Sequence, residues 1–107
     1  MDAMWQALAD GHRRAIVELL REHPATAGEV AAVIPIARPG VSRHLRVLRE
    51  AGLVDVEQQA QRRIYRLRTE PLADLDEWLA PYRALWQGRL AALHTEVARG
   101  RRERRAT

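Results

Sequence analysis

Apolar residues recur along this chain first at helical spacing, then at strand spacing, then at helical spacing again. Met4, Trp5, Leu8 and Ala9 repeat at i, i+3 and i+4, which predicts a short helix over residues 2–10. Asp10 is placed to cap a second helix whose apolar face is Ile16, Val17, Leu19 and Leu20, and Pro24 stops it. Thr26-Ala27-Gly28-Glu29 has the spacing of a capping box, in which the threonine hydroxyl and the glutamate carboxylate satisfy each other's backbone amides. A third helix is therefore expected from about Ala27 to Ile34, ended by Pro35. A fourth should run from Arg38-Pro39 to Ala51-Gly52. Proline suits the first turn, where its missing N–H is no loss, and glycine suits the left-handed position after a helix.

Leu53–Glu57 and Arg63–Arg68 alternate apolar and charged residues and are rich in Val, Ile and Tyr, so they read as two strands. Their link, Gln58–Arg62, contains no Gly, Asn or Asp, a weak hairpin signal that predicts a mobile tip. From Pro71 a long helical pattern follows, with Thr69 as a candidate cap. Leu75, Trp78, Leu79, Tyr82, Leu85, Trp86, Leu90, Leu93 and Val97 stay in phase across Pro81, so a kink is expected there and not a break. The expected fold is mainly α with a small β-hairpin, in the order α-α-α-α-β-β-α of a winged helix-turn-helix. Residues 1–98 would form one domain, followed by a basic tail over 99–107 without fixed structure.

Charge sharpens this picture. All 18 basic residues are arginine, and the net charge is +4. Residues 38–68 carry eight arginines against three acids, and residues 99–107 carry five against one; the rest of the chain is net acidic. Basic character confined to one internal segment and a tail points to a polyanion, of which nucleic acid is the commonest. Cysteine is absent, which excludes disulfides, thiolate metal sites and a cysteine nucleophile. No run of about 18 apolar residues exists to span a membrane, and the first residues lack the pattern of a secretory signal, so a cytoplasmic protein is expected.

On a helical wheel of the fourth helix, Val41, Leu45 and Leu48 cluster within about 60° of one another, while Pro39, Ser42, Arg43, Arg46 and Glu50 fall opposite. An α-helix fits the major groove of DNA, where arginine reads guanine and serine reaches bases or phosphates. Ser42, Arg43 and Arg46 are the expected DNA contacts, with Arg38 at the helix start and Arg62 and Arg63 near the hairpin tip. His44 reads as a hydrogen-bonding residue on the helix flank.

Several segments resemble one family. Leu8-Ala9-Asp10-Gly11-His12-Arg13-Arg14-Ala15-Ile16 is similar to the "LADPTRRxIL" opening of ArsR-type winged-helix repressors. Thr26–Ala31 resembles their "TAGELA" helix, and Arg38–Val54 their "RPAVSKHLRVLREAGLV" recognition segment. Arg63-Ile64-Tyr65-Arg66-Leu67 resembles the second wing strand. Tyr82-Arg83 with Trp86 resembles the last helix of the metal-independent branch. The resemblance covers roughly residues 5–95 and implies a homodimeric repressor whose interface is built from the first and last helices. Trp5, Trp78, Tyr82 and Trp86 are the expected interface residues, because a chain of this size has little core to cover six turns of apolar stripe. The chain departs from the pattern at Gly11-His12, at Ala37, where a capping serine is frequent, and at Gly40, where alanine is common.

No metal cofactor is expected. His12, His23, His44 and His94 are scattered, Asp74 and Asp76 lack a histidine about eleven residues on, and acids in a first helical turn have an ordinary role there. Nor is an enzyme expected, since there is no glycine-rich phosphate loop, no His-x-x-x-His pair and no nucleophile elbow. The partners expected are double-stranded DNA and a second copy of the chain, with no membrane and with the effector unknown. The alternatives are a winged-helix protein-interaction module, which predicts a neutral recognition face, and an effector-sensing repressor with a small-molecule pocket near the dimer interface.

Overall fold

The computed structural model of the protein describes the backbone of residues 1–106 and the side chains of residues 1–101. The chain forms α1 (Asp2–Leu8), α2 (Gly11–Glu22), α3 (Ala27–Val33), α4 (Arg38–Glu50), β1 (Val54–Gln59), β2 (Arg62–Leu67) and α5 (Glu70–Ala106). This is the expected order of elements. Two compact units are present, Met1–Leu75 and Asp76–Thr107.

Local chemistry sets most boundaries in the first unit. The Asp10 side chain accepts from the Arg13 amide at 3.1 Å and caps α2. That contact, more than any other, holds the Asp10 carboxyl below its ordinary pKa. The capping box of α3 is complete: the Glu29 amide donates to Thr26 Oγ1 at 3.1 Å, and the Thr26 amide donates to Glu29 Oε1 at 3.2 Å. Ala37 supplies no side-chain cap to α4, and Pro39 occupies its first turn. Gly52 ends that helix at φ +79°, a left-handed conformation that only glycine enters without strain.

The core of this unit is built where the helical stripes meet. Ile16, Val30, Val41, Leu45, Leu48 and Leu53 are the largest fully buried side chains, so three of the six come from α4. Burying each stabilises the fold by roughly 1.5–3 kcal/mol. This greasy anchorage fixes the roll of α4 about its axis and so decides which residues it turns outward.

The hairpin pairs Val54 with Leu67 through Gln59 with Arg62, closed by a two-residue turn at Ala60-Gln61. Ala60 adopts φ +55°, a conformation usually given to glycine or asparagine. The Gln58 side-chain amide donates to the Ala60 carbonyl at 2.9 Å and supports the turn. Two hydrogen bonds between Ala25 and Tyr65, of 3.1 and 2.8 Å, tie the α2–α3 link to the wing.

In the second unit α5 continues through Pro81 as one helix, with Arg83 donating to the side chain and carbonyl of Asp76 one turn before the proline. Trp78 and Tyr82 stack with ring centroids 4.8 Å apart. Along this face Trp78, Tyr82, Leu85, Trp86, Leu90, Leu93 and Val97 are all exposed. The helix is assigned through Ala106, into the stretch expected to form a tail without structure. The side chains of residues 102–107, and with them most of that expectation, lie outside the described residues. No helix of the described residues is long and apolar enough to cross a membrane.

Candidate nucleic-acid interface

The turn between α3 and α4 is only Ile34–Ala37, the short link of a helix-turn-helix. Val41, Leu45 and Leu48 point into the core, and Arg38, Ser42, Arg43, Arg46 and Arg49 are exposed. The wing folds up beside this face. Between them lies an open groove of about 480 Å3 lined by Pro39, Ser42, Arg43, Arg46, Arg49, Arg63 and Tyr65. The structure thus brings Ser42, Arg43, Arg46 and Arg63 together, four of the six residues expected to contact DNA.

The other two go elsewhere. Arg62 Nη2 pairs with Glu29 Oε1 at 3.1 Å, which turns this guanidinium toward the start of α3. Arg38 is exposed but lies outside the groove, its guanidinium close enough to Gly28 that a Cβ there would sit 3.2 Å from Nη2. Arg49 and Tyr65 line the groove without having been singled out. Arg63 and Tyr65 are two apart on a strand and so share a face, a signal already present in the alternation. The Arg63 guanidinium sits 5.9 Å from the Tyr65 ring centroid, a distance at which the ring steadies the cation.

Pairing divides the arginines of this region into two sets. Arg66 pairs with Glu57 at 3.2 Å, and Arg68 lies 3.6 Å from both Asp55 and Glu70. Among the described residues, Arg38, Arg43, Arg46, Arg49 and Arg63 have no carboxylate within ion-pair distance, and all of these but Arg38 line the groove. Four guanidinium groups without a carboxylate partner on one groove repel one another, and an anion placed there would relieve that repulsion. Planar groups with forked N–H donors match phosphate oxygens and the O6/N7 edge of guanine.

His44 corrects the expectation of a flank position, being buried at 5% exposure. Arg13 Nη1 donates to its Nδ1 at 3.3 Å. Burial lowers the His44 pKa, as do the nearby charges of Arg13, Arg43 and His12, against the opposing pull of Asp10. Among the described residues no three His, Asp or Glu side chains are grouped so as to hold a metal ion.

Trp5, 40% exposed, lies on α1, and Trp78, Tyr82 and Trp86 lie on α5; each presents a large apolar surface to solvent.

Comparison with known proteins agrees with this geometry. A family described as a helix-turn-helix domain matches residues 8–57. The chain is 51% identical over 74 residues to the HTH-type transcriptional regulator Rv2034 of Mycobacterium tuberculosis, covering 69% of each chain. It is 33% identical over 79 residues to the transcriptional repressor SdpR of Bacillus subtilis, covering 74% of this chain and 88% of that one. Among solved structures, the ArsR family transcriptional regulator RHA00566 superposes with a TM-score of 0.72 at 32% identity, over 80% of this chain and 94% of the other. The homodimeric winged helix-turn-helix DNA-binding domain of Mb0332 from Mycobacterium bovis, a possible ArsR-family regulator, gives 0.63 at 25% identity, over 78% and 77%. The element order, the outward arginine face of α4 and these relatives converge: the chain belongs to the ArsR-type winged helix-turn-helix transcriptional repressors and is a DNA-binding regulator of transcription.

Proposed function

We propose that this chain acts as a homodimer that sets two α4 helices in successive major grooves of an inverted-repeat operator, without a metal cofactor, and represses by occluding the promoter. The observation that carries this reading is the groove of Ser42, Arg43, Arg46, Arg49 and Arg63, in which no described carboxylate neutralises the four guanidinium groups. Ser42, Arg43 and Arg46 read base edges and phosphates, and Arg63 reaches the flanking backbone from the wing. Arg62 joins only by leaving Glu29, whereas Arg38, at the start of α4, has no carboxylate partner among the described residues. Half-site centres would lie one helical turn apart, roughly 34–36 Å.

The second copy is supported by two observations. The apolar face of α5 exposes Trp78, Tyr82 and Trp86 to a degree unusual for a monomer, and Trp5 on α1 is similarly open. The Mb0332 domain is described as homodimeric. In this proposal the three α5 aromatics and Trp5 form the interface.

Selection of duplexes from a random pool by EDTA-treated protein tests the reading. A palindromic winner bound far more tightly than random DNA is the expected result. Sequence-blind binding, or a winner that appears only with added metal, would contradict it.

A further inference from the structure

The partly buried polar contact between Arg13 of α2 and the buried His44 of α4 is the feature that DNA reading leaves unexplained. Arg13 spends its guanidinium on three acceptors. Nε donates to the Ala7 carbonyl at 2.7 Å, Nη2 to the Gln6 carbonyl at 3.0 Å, and Nη1 to His44 Nδ1 at 3.3 Å. The neighbouring Arg14 donates to the Leu8 carbonyl at 2.8 Å. The last carbonyls of a helix have no partner within it, and α1 is seven residues long, too short to persist alone. Two successive arginines of α2 therefore close the end of α1, and one of them reaches on to the buried side of the helix that carries the DNA-contacting face.

As a hydrogen bond, the contact with Arg13 implies one tautomer of His44. A guanidinium only donates, so Nδ1 must accept and the ring proton must sit on Nε2. Adding a proton to Nδ1 sets two donors and two like charges against each other, and the contact opens. The charged groups that face the ring are Arg13 and His12 on α2, Asp10 at its cap, and Arg43 on α4 itself. The His12 ring is tilted against it at 5.8 Å. Only Asp10 favours the protonated ring, and its carboxylate is engaged by the Arg13 amide.

We infer that Arg13 and His44 are positioning residues: Arg13 staples the end of α1 to the inner side of α4 through neutral His44, which sets the pose of the DNA-contacting face, and protonation of His44 releases it. This rests on α4 being the element that reads DNA. Arg13 is central because lysine, a single point donor, cannot span two carbonyls and an imidazole at once. His44→Gln retains an acceptor oxygen and cannot titrate, so it serves as the conservative partner.

The experiment combines two readouts. In free protein, long-range nitrogen–proton NMR of the imidazoles should show His44 as the Nε2–H tautomer at about pH 7.5. Affinity for a duplex chosen by the wild-type protein from a random pool is then compared at about pH 7.5 and pH 5. The wild type should lose about tenfold on acidification, a hydrogen bond's worth. Arg13→Lys should bind about tenfold more weakly at the higher pH and show no acid loss. His44→Gln should keep the wild-type affinity at the higher pH and also lack the acid loss. An Nδ1–H tautomer, or wild-type affinity and acid response in both folded variants, would overturn the staple. Failure of the wild type to bind any duplex would remove the DNA reading and the positioning role with it, and the tautomer would still report separately whether the Arg13–His44 contact forms.

Discussion

The arginines facing the reading groove and those on the rest of the wing are chemically identical and close together, yet the structure treats them in opposite ways. Arg43, Arg46, Arg49 and Arg63 line the groove without a described carboxylate partner, whereas Arg62, Arg66 and Arg68 are held by Glu29, Glu57, Asp55 and Glu70. Positive charge alone therefore does not mark the site. In the proposed reading, what marks it is charge left uncompensated on a concave face. The paired arginines are exposed, and pairs of this kind contribute about 0–1 kcal/mol to stability, so they serve mainly to shape the wing and limit its charge.

The largest effect that sharpens this contrast comes from the two sides of α4. Leu45→Ala should cost about 2–5 kcal/mol of unfolding free energy in denaturant melts, because it opens a cavity in the buried cluster that also holds Ile16, Val30 and Leu48. Arg46→Ala, one residue later, should leave the melt unchanged within about 0.5 kcal/mol. A stability loss at Arg46 equal to that at Leu45 would mean that α4 is rolled differently.

Next comes binding. Arg43→Ala should reduce affinity for the selected duplex by about 1–3 kcal/mol while affecting random DNA less. An unchanged affinity would remove Arg43 from the reading face. Arg66→Ala should alter stability by no more than about 1 kcal/mol and leave specific affinity intact.

Acid should act in the same direction as loss of the His44 contact. The folded state holds the His44 pKa below its ordinary value, so the unfolded chain takes up the proton first. The contribution is therefore fully present above about pH 6.5 and is lost as pH falls below it toward the folded value. Melting temperature should drop over that window in the wild type, and by less in His44→Gln. Equal drops would assign the effect to other groups.

The smallest effect lies at the wing tip. Ala60→Gly should stabilise the protein by up to about 1 kcal/mol, because glycine enters the left-handed region without the penalty that alanine meets at φ +55°. A destabilisation would mean that the turn gains more from the stiffer residue.

Much of this was legible in the sequence because it is local. The Asp10 cap, the Thr26–Glu29 box, Pro39 in a first turn and Gly52 after a helix each act within four residues, and each is present in the structure. The stripe of Val41, Leu45 and Leu48 likewise fixed which face of α4 is buried. What periodicity does not carry is contact across elements. The Arg62–Glu29 pair joins positions 33 residues apart and the Arg13–His44 contact 31, so the sequence pattern shows neither the carboxylate beside Arg62 nor the partner and burial of the hydrogen-bonding His44. Ala60 shows a different gap: a hairpin closed without glycine or asparagine, where the pairing of β1 with β2 and the Gln58 side chain outweigh turn preference.

The central claim is that uncompensated charge, and not charge as such, defines the DNA surface. Its most direct test is the salt dependence of affinity for the selected duplex and for a scrambled one, compared between Arg46→Ala and Arg66→Ala. Arg46→Ala should lose most of the preference for the selected sequence and flatten the salt slope by about two counterions, one per protomer of the proposed dimer, while Arg66→Ala keeps both at the wild-type value. Equal losses in the two variants would show that the paired arginines contact DNA as the open ones do, and would contradict the account.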